Sequence, residues 1–64
     1  MLRRGSFGDA VGELQELLSG TGYPLTIDND FGPATELAVI LFQRESGLTE
    51  DGIVGHDTWA ALRA

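Results

Sequence analysis

Acidic and amide side chains crowd into two short stretches, Asp28-Asn29-Asp30 and Asp51-Gly52. Carboxylates at that density can hold a cation, accept hydrogen bonds from hydroxyls and amides, or pair with an amine, and an asparagine both donates and accepts. The spacing Asp28-x-Asp30-x-Gly32 is similar to the start of a calcium loop. Glycine, however, stands where the third ligand belongs, and no glutamate occupies the twelfth position. His56 and Asp57 are neighbours, but no serine nucleophile with an oriented partner and an oxyanion hole can be identified. Glu13 with Glu16, or Glu45 with Glu50, would form a glycosidase pair only if burial raised the pKa of one member. They read as a solvated acidic face. No catalytic residue, metal or cofactor is assigned. The plainer use of Asp28, Asn29, Asp30 and Asp51 is to close turns by bonding their own backbone.

Both stretches lead into a pattern that occurs twice. Phe31-Gly32-Pro33-Ala34-Thr35-Glu36-Leu37-Ala38-Val39 and Val54-Gly55-His56-Asp57-Thr58-Trp59-Ala60-Ala61-Leu62 share an apolar residue, glycine, threonine, alanine and an aliphatic residue at the same spacing. Phe7-Gly8-Asp9-Ala10-Val11 keeps the frame more faintly, with valine in place of threonine. A repeated loop-to-helix junction implies a small bundle of similar units. The loops of such a bundle are where function concentrates.

Length and charge narrow the classes. Sixty-four residues form one domain at most, and a chain this short buries only about 60% of its unfolded surface. Without cysteine there is no disulfide or thiolate metal site, and one histidine does not make a zinc centre. A net charge of −6, with four arginines and no lysine, opposes nucleic acid, whose affinity for proteins comes largely from cations. The same charge opposes anionic membrane surfaces. The longest apolar run, Leu37 to Phe42, is far shorter than the ~20 residues needed to cross a bilayer. Met1-Leu2-Arg3-Arg4 has the charge of a signal-peptide start, but Gly5-Ser6-Phe7-Gly8-Asp9 follows where an apolar core is required, so no export signal is read.

The elements that position the loops are three helices, an all-α fold. The first is expected over about Asp9–Leu18, with Val11, Leu14, Leu17 and Leu18 on one stripe. Ser19-Gly20-Thr21-Gly22 ends it. Gly32-Pro33 starts the second, because proline suits the first helical position, and Gly47 stops it. The spread of apolar residues over Leu37 to Phe42 predicts a central helix contacted on several sides. The third follows Gly55 and turns Trp59 and Leu62 inward. Phe7 and Phe31 are expected as core plugs, Tyr23 as a surface aromatic. Thr35 and Thr58 are expected to satisfy backbone groups in the first helical turn, and Gln15 and Gln43 to bond across a loop rather than to ligand. Leu25-Thr26-Ile27 and Leu48 to Val54 could pair as a minimal two-stranded ribbon.

Leu2 to Gln15, Asp30 to Gln43 and Gly47 to Leu62, in that order, resemble the small three-helix peptidoglycan-binding domain appended to bacterial and phage cell-wall hydrolases. The closing Asp51-Gly52-Ile53-Val54-Gly55-x-x-Thr58-Trp59-x-x-Leu62 is the most specific part of the likeness. The resemblance implies a non-catalytic, monomeric module, residues 1–64, that holds a catalytic domain of the same parent chain on the wall polymer. Its place would be the cell wall, or the extracellular or periplasmic space. Its ligand would be the glycan strand or the stem peptide. Such a ligand suits a shallow groove with a few fixed polar groups and an apolar floor. The candidate ligand-binding residues are Tyr23, Asp28, Asn29, Asp30, Asp51, Gly52 and Ile53. Backbone amides near Pro33-Ala34 and His56-Asp57 add positive partial charge. The alternative is a protein-interaction or architectural module that docks a partner domain through an apolar patch on the second helix.

Overall fold

The computed structural model describes residues 1–64, which form α1 (Asp9–Thr21), α2 (Pro33–Glu45) and α3 (His56–Arg63). Each helix begins behind a glycine, Gly8, Gly32 or Gly55, and none has a side-chain cap on its first turn. Helix α1 runs three residues past the expected Leu18. Thr21 donates its hydroxyl to the Leu17 carbonyl at 2.7 Å, and termination waits for Gly22, whose φ of 110° is left-handed. Helix α2 ends the same way at Gly47 (φ 71°). Tyr23 N–H bonds the Leu18 carbonyl and Leu48 N–H the Gln43 carbonyl, so each chain reversal closes over the preceding turn.

The core comprises Val11, Leu14 and Leu18 from α1, Ala38, Val39 and Phe42 from α2, Leu62 from α3, and Phe31 and Val54 from the connections. Helix α1 packs against both α2 and α3. It takes the central place expected of α2, because Leu37 is 58% exposed and Ile40 and Leu41 are only half-buried. The apolar breadth of α2 therefore leaves part of its surface uncovered.

The expected ribbon between the two connections does not form. The N-terminal segment pairs with both instead: Leu2 exchanges two backbone hydrogen bonds with Val54 at 3.1 and 2.8 Å, and Phe7 bridges to Asp30. Gly8 N–H reaches the Asn29 carbonyl and Phe31 N–H the Ser6 carbonyl, both at 2.9 Å. Two isolated short strands are marginal in water, whereas residues 2–8 bring a partner backbone to each turn. This segment pairs with the connections through its backbone and packs Leu2 against the core, but Phe7 is 84% exposed rather than a plug, while Phe31 is fully buried as expected. Trp59 is half-buried against the core and carries the Arg63 guanidinium over its ring at 4.3 Å. Tyr23 is less free than expected, since its ring meets Phe42 edge-on with centroids 6.2 Å apart.

Candidate functional site

Two buried glutamines organise the polar loops. The Gln15 side-chain oxygen accepts from the Asp28 and Asn29 amides at 3.1 and 3.0 Å. Its Nε2 faces Asp28 Oδ1 at 3.0 Å, the Asp30 carbonyl at 3.1 Å and Thr35 Oγ1 at 3.1 Å. Gln43 does the same one unit later. Its oxygen accepts from the Gly52 amide, and its Nε2 faces Asp51 Oδ1, the Ile53 carbonyl and Thr58 Oγ1 at 3.0 to 3.2 Å. Asp28 and Asp51 each close an Asx turn by accepting from the amide two residues on, at 3.0 Å. The expected roles of Gln15 and Gln43 across a loop are thus observed. Thr35 and Thr58 are structural partners as expected, but of a glutamine side chain rather than of the backbone.

These bonds fix the charge of the turns. Hydrogen bonding from Gln15 and from the Asp30 amide holds the Asp28 carboxyl below its ordinary pKa. For Asp51 the Ile53 amide is the leading cause, with Gln43 adding to it. Both are ionised at neutral pH. Three of the four arginines are paired with glutamates: Arg4 with Glu36, Arg44 with Glu50 and Arg63 with Glu13. The carboxylates of Asp28, Asp30 and Asp51 have no cationic partner.

Two grooves open in front of the two glutamine-centred clusters, and their walls correspond position by position. Asp28, Asp30, Gly32, Pro33, Ala34 and Thr35 line one, of about 460 Å³, together with Pro24, Leu25 and Thr26. Asp51, Ile53, Gly55, His56, Asp57 and Thr58 line the other, of about 250 Å³, together with Leu48, Thr49 and Met1, the last without a counterpart in the first groove. The first continues into an apolar groove of about 410 Å³ between Tyr23 and the α2 side chains Leu37 and Leu41, with Pro24, Leu25 and Ala34 common to both.

The seven residues expected at the ligand are therefore divided. Asp28 and Asp30 share one groove, Asp51 and Ile53 the other, and Tyr23 belongs to the apolar extension. Asn29 and Gly52 line none of them. Both hold the left-handed position of their turn (φ 62° and 71°) and face a helix: the Asn29 amide lies against Gly12 of α1, and Gly52 against Glu36 and Ile40 of α2. Their work is to shape the turn. Thr35 and Thr58 line the grooves although sequence reasoning assigned them only a structural task. Their identical place in the Gly-x-x-Thr repeat was the available signal.

The family described as "Putative peptidoglycan binding domain" matches residues 7–62, and the chain belongs to it. The zinc D-Ala-D-Ala carboxypeptidase of Streptomyces albus G is 49% identical over 61 residues, covering 91% of this chain and 24% of that protein. The N-acetylmuramoyl-L-alanine amidase CwlM of Mycobacterium tuberculosis is 42% identical over 57 residues, covering 88% of this chain and 14% of that protein. Among solved structures, the Burkholderia AP3 phage endolysin superposes with a TM-score of 0.96 at 46% identity, over 98% of this chain and 24% of that one. The SleB N-terminal domain gives 0.93 at 38% identity, over 97% of this chain and 86% of that one. The chain is a non-catalytic, three-helix peptidoglycan-binding module; catalysis in such relatives belongs to their other domains.

Proposed function

We propose that residues 1–64 act as one monomeric unit that holds peptidoglycan in the groove at residues 24–35, keeping a catalytic domain of the same parent chain on its insoluble substrate at the cell wall. One observation carries this reading. Carboxylates without a cationic partner face an uncapped helix start across a groove that runs on into an apolar floor at Tyr23, Leu37 and Leu41. Amides and hydroxyls of a glycopeptide find acceptors in Asp28 and Asp30. Carbonyls find donors in the first turn of α2, and methyl groups or sugar faces meet the apolar extension. A shallow groove gives weak affinity per contact, which suffices when linkage makes the enzyme's encounter with substrate intramolecular.

The test is co-sedimentation of the purified chain with peptidoglycan freed of teichoic acids and proteins, against cellulose. Selective pelleting that persists as salt is raised is expected, because the module carries few cations to be screened. A folded sample that stays in the supernatant would overturn the reading. One observation favours a second use for the apolar extension, namely the exposure of Leu37 beside Tyr23 and Leu25. That surface could instead seat the attached domain. If Leu37→Ser leaves pelleting unchanged but releases the attached domain in a full-length protein, the extension is a docking face.

A further inference from the structure

We propose that the groove at residues 48–58 is a second ligand subsite equivalent to the one at 24–35, and that each takes a secondary amide group of the polymer. This rests on the wall-binding reading and adds to it the number of subsites and the chemical group recognised.

The hydrogen-bond inventory of each cluster has a surplus. A glutamine Nε2 carries two hydrogens, yet Gln43 Nε2 faces three acceptors: Asp51 Oδ1, the Ile53 carbonyl and Thr58 Oγ1. The cluster is complete without the threonine. Thr58 is only 4% exposed, lines the groove and accepts from Gln43, but its hydroxyl hydrogen meets no acceptor in the molecule. Thr35, 3% exposed, stands in the same position in the other groove. Each hydroxyl hydrogen, with no acceptor in the protein, faces the water of its groove and is free to donate to a ligand that displaces it.

The surrounding groups define what would fill it. The first-turn amides of α3 have no acceptor, since backbone bonding there begins with Trp59 N–H to the Gly55 carbonyl. Opposite them, Asp51 uses Oδ1 for the Gln43 and Ile53 bonds and has Oδ2 left over. Hydroxyl and amide donors on one wall, with a carboxylate acceptor on the other, complement a –CO–NH– group. The groove at 24–35 repeats this with Thr35, Ala34 N–H and Asp28 Oδ2. Thr35 and Gln43 are eight residues apart on α2, so the two clusters lie roughly 12 Å apart along its axis at 1.5 Å per residue. One polymer segment can engage both.

Secondary amides occur on the sugars as acetamido groups and in the stem peptide, so two probes separate the sources: N,N'-diacetylchitobiose and a free stem peptide. Each is titrated into the isotopically labelled chain while backbone amides are followed by NMR. One probe is expected to shift the amides of Ala34 and Thr35 together with those of His56 to Thr58, at two equivalents per chain. Thr58→Val should silence its own groove only, and Thr35→Val the other, each with an unchanged unfolding midpoint because the glutamine hydrogens stay satisfied. Each single variant should weaken pelleting with peptidoglycan about 100-fold, at the lower end of what linked sites contribute, and the double variant should abolish it.

Shifts confined to one groove, or different probes for the two grooves, would overturn the equivalence. A lowered unfolding midpoint in either valine variant would return the hydroxyls to a structural role and overturn the assignment. Pelleting that survives in the folded double variant would overturn the subsites while leaving wall binding intact. Failure of the unaltered chain to pellet would instead remove the wall-binding reading itself.

Discussion

The two connections of this protein are one design executed with opposite packing. Both hang on a buried glutamine, an Asx turn and a left-handed residue, and both lead to a threonine in the next helix. In the first, the left-handed residue is Asn29 and the helix beneath it offers Gly12; a Cβ at Gly12 would overlap the Asn29 side-chain oxygen. In the second the sizes are exchanged. The left-handed residue is Gly52, and α2 fills the space with Ile40, while a Cβ on Gly52 would come within 3.2 Å of the Glu36 side chain. Gly12 and Ile40 each lie three residues before their glutamine. The hydrogen-bond cluster is thus the common part, and the packing pair changes only as a unit.

Breaking the common part should have the largest effect. Gln15→Leu keeps much of the volume but strips partners from the Asp28 and Asn29 amides and from Thr35. The two amides sit on exposed residues, where water can replace the lost partner, while Thr35 is buried; at about 1–3 kcal/mol for a buried group left unpaired and less for the others, the cost should be about 2–4 kcal/mol. That is comparable with the whole stability of a domain this small, about 3–10 kcal/mol. Gln43→Leu strands one amide rather than two, but that of Gly52 is buried, so it should cost about as much, about 2–4 kcal/mol. Urea unfolding checks both values, and losses under 1 kcal/mol in both would refute the central role of the glutamines.

Next comes the exchanged pair. Gly12→Ala should destabilise by about 1–3 kcal/mol through overlap with Asn29. In an Asn29→Gly background the same substitution should become stabilising by up to about 1 kcal/mol, because alanine is the better helix former. A double-mutant cycle measures that change of sign. Additive effects would show that the two residues do not form a unit.

Much of this was legible beforehand, for identifiable reasons. Helix starts are written in Gly-Pro and Gly-His-Asp, and the α2 stop in Gly47, because backbone geometry there selects residue types directly. The buried Val11, Leu14 and Leu18 follow from spacing, whereas the apolar run of α2 does not say which of its residues face inward. The pairing of residues 2–8 with both turns was not legible, since it uses backbone groups that every residue has. The fate of Phe7 went wrong with it: the repeat placed it beside Phe31, but only tertiary pairing decides which of two equivalent phenylalanines faces inward. The grooves were half legible. The aspartates could be named as turn formers or ligand groups, while the choice of Asn29 and Gly52 as shapers of the turn depends on what α1 and α2 present beneath them. That information lies seventeen and twelve residues away, from Gly12 to Asn29 and from Ile40 to Gly52.

The smallest expected difference lies in acid. Asp28 and Asp51 both titrate below their ordinary values in the folded chain. A depressed folded-state pKa stabilises the fold at pH above the unfolded pKa, near 4, and that contribution is lost as pH falls through the folded value. Helicity should therefore decline on acidification below about pH 4. Asparagine at either position keeps the Oδ1 acceptor for the glutamine and for the turn amide but has no proton to take up. Asp28→Asn and Asp51→Asn should each flatten the decline. The two connections differ in what depresses the carboxyl: for Asp28 it is chiefly the Gln15 side chain, for Asp51 chiefly the Ile53 amide within its own turn. A carboxyl held by its own turn keeps part of that bond whenever the turn persists locally, whereas one held by Gln15 requires α1 to be docked. Asp28→Asn should accordingly flatten the acid curve more than Asp51→Asn. Equal curves from circular dichroism would mean that both turns open only with the whole fold.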